Sequence, residues 1–367
     1  MNRRRSAILL LFIGAVVVLG TLLISTVVFA TSESSREPLP NGLDEVAYLN
    51  AVHGSWIATM VANHSGLPIE GIWLEEPGPG DSIDLLLLEQ WSTDDDTHVE
   101  WLDIHIMETH GLEPSFEQIR DEWVDHLNGD IWVATRRARD LMDEGVIPPE
   151  TGMAELNPEG AWAMDAQLET ELFGLIAPGN ADEARRRARR FGSVTSSGPA
   201  LDASAFYAHL YSSAFSNPNI SALIDEARGA EPNDSIVAPI VDDVRRWVSE
   251  NPNDWRATRA LIGDKYDTDP EWWASRVNFA VTIMALLYGD GDLTETVTIA
   301  GLAGWDADNN MTTSAGLVGL IIGFDALLEP WSLATDIYFN EDLSGDLPQF
   351  DSVRNIAERT VALGLGS

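Results

Sequence analysis

Trp91-Ser92-Thr93-Asp94-Asp95-Asp96-Thr97 is the stretch on which the reading of this chain turns. It follows a run of leucines at 85–88. Successive helical residues point about 100° apart, so three adjacent carboxylates cannot share one helical face. They fit an extended segment that turns into a helix N-terminus, where a carboxylate caps free N–H groups. The helix is expected from Thr97, with Val99, Leu102, Ile106 and Met107 at helical spacing. Adjacent carboxylates repel each other and need a cation, and hard oxygen ligands suit Mg²⁺, Ca²⁺ or Mn²⁺. Taken alone, the stretch reads more readily as an acidic helix cap in a very acidic chain.

A second acidic stretch changes that balance. Gly304-Trp305-Asp306-Ala307-Asp308-Asn309-Asn310 leads into an apolar helix expected over 311–324. That helix carries Gly316, Gly319 and Gly323. Each glycine inside a helix costs about 1 kcal/mol relative to alanine, so close packing at the centre of the molecule is the expected reason. In an extended approach Asp306 and Asp308 point to the same side. Two acidic clusters, each at the mouth of a helix, would then face one another around two cations.

The remaining composition narrows the class. The chain has 367 residues and a formal net charge of −37, with 59 acidic residues against 22 basic ones. Lys265 is the only lysine. Such a charge argues against nucleic acid as a general partner, because a phosphate backbone would be repelled. It suits a surface kept soluble in high salt. No cysteine is present, which removes disulfides, thiol nucleophiles and thiolate zinc sites.

Arg3-Arg4-Arg5 precedes an uncharged, mostly apolar run over 6–30. Its length is enough for a membrane span, and Val28-Phe29-Ala30 supplies small residues for a cleavage site, so anchor and cleaved signal peptide both fit. The positive end stays in the cytoplasm, which puts everything after Ala30 outside it, secreted or anchored to the membrane through residues 6–30. A Pro-containing linker covers 31–42, and one domain is expected over 43–367. Helical periodicity is read over 43–63, 116–127, 131–144, 166–175, 181–191, 203–215, 220–228, 236–249, 255–262 and 272–288. Gly54, Ala58 and Ala62 recur every four residues as a small-residue stripe in the first of these. No alternating strand and no internal repeat stands out, so the class is all-α.

These motifs resemble the ADP-ribosylglycohydrolase family, relatives of the dinitrogenase-reductase-activating glycohydrolase. Asp94-Asp95-Asp96-Thr97 matches its Thr-Asp-Asp-Thr signature, and Gly304 to Asn309 matches Gly-x-Asp-x-Asp-Thr/Asn. Ala62-Asn63-His64-Ser65-Gly66-Leu67-Pro68-Ile69-Glu70 occupies the place of Gly-Asp-Ala-Leu-Gly-x-Pro-x-Glu. Met164-Asp165-Ala166-Gln167 and Ala177-Pro178-Gly179-Asn180 also look like a branch of the family. The resemblance implies an orthogonal multi-helix bundle around two Mg²⁺ ions, with Mn²⁺ as the alternative metal. It implies Asp94, Asp95, Asp96, Asp306, Asp308 and Asn309 as ligands and Glu70 as the catalytic carboxylate. The implied reaction is hydrolysis of the bond between ADP-ribose, or a related ribosyl group, and an acceptor. Hydrolysis of another glycosyl conjugate, and a catalytically silent metal- or ligand-binding protein that kept the fold, are the other readings.

Three departures stand out. Asp94 replaces the usual threonine and adds a negative charge, Asn63 and His64 replace Asp-Ala, and Val194-Thr195-Ser196-Ser197-Gly198 stands where the related branch often has Ser-His-Asp-Gly. Asn63, Trp73, His98, Asp165 and Trp305 are expected near the substrate or behind the ligands, with Trp73 and Trp305 placed to stack on a base or sugar. His105 and His110, five residues apart, read as surface histidines rather than a zinc pair. Arg185-Arg186-Arg187-Ala188-Arg189-Arg190 reads as a solvated helix face. A reporter fused after Ser367 is expected to work only outside the cytoplasm; activity confined to the cytoplasm would reverse the assigned orientation.

Overall fold

Two helices laid backbone to backbone form the centre of the molecule. In this computed structural model, which describes residues 39–366 apart from 130, 233 and 332–335, the elements run as follows. The first eight helices are α1 (Glu45–Gly66), α2 (Asp95–His110), α3 (Phe116–His126), α4 (Val133–Asp143), α5 (Asp165–Leu168), α6 (Glu171–Leu175), α7 (Ala181–Gly192) and α8 (Pro199–Ala214). The rest are α9 (Ile220–Ala230), α10 (Ala238–Glu250), α11 (Trp255–Tyr266), α12 (Ser275–Gly289), α13 (Leu293–Ala303), α14 (Ala307–Ile322), α15 (Phe324–Trp331) and α16 (Val353–Gly366). The expected signal or anchor segment and most of the expected linker lie outside the described residues. Among the described residues no helix is long and apolar enough to cross a membrane.

The mostly helical class is as expected, with differences that have physical reasons. A small sheet of β1 (Trp91–Ser92), β2 (Ile337–Phe339) and β3 (Phe350–Ser352) is present, ordered β1-β2-β3. β1 runs parallel to β2 with Trp91 opposite Tyr338, and β2 runs antiparallel to β3. Strands of two or three residues are too short to display an alternating pattern. The expected helix over 166–175 is broken into α5 and α6. α2 starts at Asp95, two residues before Thr97, so Asp94 is the N-cap and Asp95 and Asp96 form the first turn. The Asp94 side chain accepts from the Asp96 N–H, a cap that the acidic residues themselves supply.

α1 and α14 pack antiparallel. A Cβ on Gly54 would lie 2.5 Å from the Gly319 carbonyl oxygen and 2.7 Å from Gly323. At the other end, a Cβ on Gly66 would collide with the Asp308 backbone. The small-residue stripe of α1 and the glycines of α14 are therefore the two halves of one contact. Only hydrogen at these positions allows an approach this close. Both helices are buried on nearly all sides, which is why neither shows an amphipathic pattern.

This contact makes a prediction about stability. Gly54→Ala meets backbone rather than a movable side chain, so it should cost about 1–3 kcal/mol. Gly229→Ala in α9, where a Cβ meets nothing within 4 Å, should instead stabilise by roughly 0.5–1 kcal/mol. Urea denaturation of both variants reads the contrast.

Candidate metal centre and active-site cavity

One tight turn brings the acidic stretches together. There Gly304 and Trp305 both take left-handed backbone angles, φ +88° and +57°. A Cβ on Gly304 would strike the Trp73 carbonyl, so the turn requires glycine there. The Trp305 N–H donates to the Trp73 carbonyl at 3.3 Å, and the Gly71 N–H donates to the Trp305 carbonyl at 2.9 Å. These bonds set Glu70 beside Asp306 and Asp308. Arg259, buried, fastens the same two loops: its guanidinium donates to the carbonyls of Ala303 (3.1 Å), Glu75 (2.8 Å), Leu74 (2.5 Å) and Trp73 (3.3 Å). Asn278 Oδ1 accepts from the Asp306 N–H and from Asn310 Nδ2, holding the entry to α14 from the other side.

The result is two groups of three carboxylates that share a member. Asp94, Asp96 and Asp308 each place one oxygen within 4.8 Å of the others, and so do Glu70, Asp306 and Asp308. The five aspartates and Asn309 expected as ligands thus fall at one place, with Asp95 lining the cavity floor but outside both groups. Asn63, on α1, donates through Nδ2 to Asp94 at 2.7 Å and to Asp96 at 3.1 Å. Asn309 Nδ2 donates to the other Asp96 oxygen at 2.6 Å. His98 is fully buried behind the cluster, and its Nδ1 donates to the Asp94 carbonyl at 2.6 Å.

Burial, then mutual repulsion, pushes Asp95, Asp96, Asp306 and Asp308 well above the usual carboxylate range. Among the described residues no arginine or lysine pairs with Asp94, Asp95, Asp96, Asp306 or Asp308. Oδ1 of Asp308, Asn63 and Asn309 is buried without a hydrogen-bond partner. Unpaired buried oxygens in an all-oxygen donor set fit a hard divalent cation, and Asp308 belongs to both carboxylate groups. A second layer of buried acids lies behind: Glu100, Asp103, Glu169 and Glu171. Asp96, Glu100 and Asp103 follow one face of α2 at helical spacing, a signal present in the sequence beside the aspartate run.

A cavity of about 450 Å³ opens over the carboxylates. Its floor is Glu70, Asp94, Asp95 and Asp306; its walls include Trp132, Val133, Met164, Trp272 and Trp273. Asp165 lines it too, its Oδ1 accepting from the Thr135 N–H (2.6 Å) and hydroxyl (2.9 Å). Val133, β-branched, sits at φ +42°, a strained angle for such a side chain.

The tryptophan expectations are corrected here. Trp305 is buried, with its indole N–H on Asp267 and the Arg259 guanidinium 4.0 Å from its ring centre, so it is core and does not line the carboxylate cavity. Trp73 lies on Gly78, away from the carboxylate cavity. The aromatic walls are instead Trp132, Trp272 and Trp273, which no local pattern singled out. Thr195 and Ser196, in the segment that departs from the related branch, are buried against residues 151–161 and do not line the cavity.

Fold and site together define a mostly helical protein with a buried carboxylate cluster able to hold a metal ion. The ADP-ribosylglycohydrolase family model matches residues 44–363, and the chain belongs to that family of glycohydrolases. Among solved structures it is similar to one described as an ADP-ribosylglycohydrolase-related protein complex, at 18% identity and a TM-score of 0.58, over 87% of this chain and 98% of that one. At that identity the likeness concerns the fold. Among curated proteins no match is found.

Two predictions come from this geometry. Burial raises Asp165 to about 6 and Glu171 to about 7. Their native pKa values exceed the unfolded ones, so the native state holds these protons more tightly. The stability they give is fully present below about pH 4 and is lost as pH rises through 6 and 7, on the order of 3 kcal/mol for each group. Thermal melts of cation-free protein should fall from about pH 5 to pH 8, and Asp165→Asn should flatten the slope. Separately, Arg259→Met strands buried carbonyls and should destabilise by roughly 3 kcal/mol or more, read by urea denaturation.

Proposed function

We propose that the protein is a Mg²⁺-dependent hydrolase of the bond between the anomeric carbon of ADP-ribose, or a related ribosyl group, and an acceptor. The observation that carries this reading is the pair of carboxylate groups sharing Asp308 on the floor of a tryptophan-walled cavity. Asp94, Asp96, Asp306, Asp308 and Asn309 would hold the cations, with Mn²⁺ able to replace Mg²⁺ in an oxygen site. Bound there, the cations would polarise ribose hydroxyls and a water molecule.

The chain's own side chains account for the rest. Glu70 is the one member of the two groups that is not buried, at the edge where a substrate would meet the floor. It would carry the proton to or from the reacting oxygen as positive charge develops on the sugar. Trp132, Trp272 and Trp273 line the cavity and would stack on a base. Asp165, with its raised pKa, can donate a hydrogen bond to a hydroxyl near pH 6. Family membership favours this substrate class. The Arg3 to Arg5 charge ahead of the apolar run puts the site outside the cytoplasmic membrane in this proposal.

The test is a panel of ADP-ribosyl, ribosyl and other glycosyl conjugates with the full-length protein and Mg²⁺. Turnover of the ADP-ribosyl members is expected; turnover confined to other sugars would move the substrate class, and none at all would favour a silent binding protein. Asp308→Ala should abolish both cation binding and turnover while keeping the helical content. Glu70→Gln should lower the rate on the order of 10²–10⁴-fold with cation binding retained. Calorimetric titration with Mg²⁺ beside the turnover assay separates the two roles.

A further inference from the structure

Three histidines surround one glutamate well away from the carboxylate cavity. His105 and His110 lie on α2, and Glu122 and His126 lie on α3. Glu122 Oε1 faces His110 Nε2 at 2.7 Å, while Oε2 faces both His126 Nε2 at 3.1 Å and His105 Nε2 at 3.3 Å. The ligand atoms of His105, Glu122 and His126 all lie within 4.8 Å of one another. His105 and His126 rings meet edge to face at 5.1 Å. From Asp96 to His105 is nine residues of α2, or about 13 Å along its axis, so this is a place of its own.

The hydrogen bonds around the group fix which atoms point inward. His126 Nδ1 lies 2.8 Å from the Ser344 carbonyl, which can only accept, so Nδ1 carries the hydrogen. In neutral His126 the Nε2 lone pair therefore faces the Glu122 oxygen, acceptor against acceptor. His110 Nδ1 is met by the Gln118 amide at 3.1 Å, leaving its Nε2–H to donate to Glu122 Oε1. Glu122 Oε2 thus meets a His126 Nε2 that carries no hydrogen in the neutral ring, with His105 Nε2 beside them. A cation between them removes the conflict.

We propose that His105, Glu122 and His126 form a second metal site, for a zinc-type divalent ion. Two imidazoles and one carboxylate suit this class of ion rather than Mg²⁺. Ligands at zinc distances in a tetrahedron stand about 3.3 Å apart, close to the separations of Glu122 Oε2 from the two imidazole nitrogens. The Ser344 carbonyl behind His126 and the His110 side chain behind Glu122 are the outer partners that orient metal ligands. Asp346, mostly exposed and 3.7 Å from His126 Nε2, or water, would complete the coordination. The ion would tie α2 and α3 to the loop containing Ser344. The same loop contains Asp342, whose carboxylate accepts from the Thr93 hydroxyl beside Asp94.

Cobalt(II) titration of the full-length, metal-free protein tests this, because tetrahedral cobalt absorbs visible light strongly and an octahedral all-oxygen site does so weakly. One equivalent should develop the tetrahedral bands, be displaced by Zn²⁺, and survive in Asp308→Ala, which removes only the carboxylate centre. His105→Gln, His126→Gln and Glu122→Gln should each weaken binding at least about 100-fold, with far-UV circular dichroism confirming the fold. Absence of tetrahedral bands in the parent protein would overturn the proposal. So would parent-like binding in a folded Glu122→Gln variant.

Discussion

The contact between α1 and α14 is the constraint on which the rest depends. Gly54 against Gly319 and Gly66 against Asp308 leave no room for side chains, so the two helices meet at backbone distance. Because they run antiparallel, the C-terminal end of α1 arrives at the N-terminal end of α14. Asn63 is thereby placed against the aspartates of α2, and Glu70, a few residues past the end of α1, reaches the aspartates of α14. The site is a consequence of one crossing. A small widening there would move carboxylates on both sides at once.

The electrostatics work against the fold unless something compensates. Like charges at these separations cost several kcal/mol in a medium of intermediate dielectric, and burial adds to that. Protons relieve the strain in the cation-free chain, which is why the carboxylates are pushed upward rather than merely unpaired. The amides of Asn63 and Asn309 offset part of the rest by donating to Asp94 and Asp96. An aspartate at position 63 would have added charge where the asparagine donates hydrogen bonds. The extra acid at Asp94 is thus met by a donor one helix away.

The sequence disclosed the floor of the site because the floor is local. Asp94 to Asp96 and Asp306 to Asp308 each sit within a single turn, and short spacings survive in one dimension. The long helices were legible through periodicity, but α13, α15 and α16 were not read, and β2 and β3 are too brief to show a pattern. The walls escaped because Trp132 and Trp272 come from distant loops that only the packing unites. Trp305 was assigned to the site from adjacency alone; its left-handed backbone turns the ring into the core, where Arg259 covers it. His105 was weighed against His110, its neighbour in sequence, whereas its partners in space are Glu122 and His126 on the next helix.

Floor and walls also differ in what they cost to alter. The carboxylates stand on the crossing helices and their tightly bonded turns, where each backbone position is over-determined. Leu67, Trp132, Val133, Trp272 and Trp273 stand at helix ends and in connecting segments, and Trp132 is 59% exposed. Such positions exchange side chains with little loss of stability. The molecule therefore separates a rigid carboxylate floor from a replaceable rim. Selection can redraw the mouth of the cavity, one residue at a time, over a floor that has almost no freedom to drift.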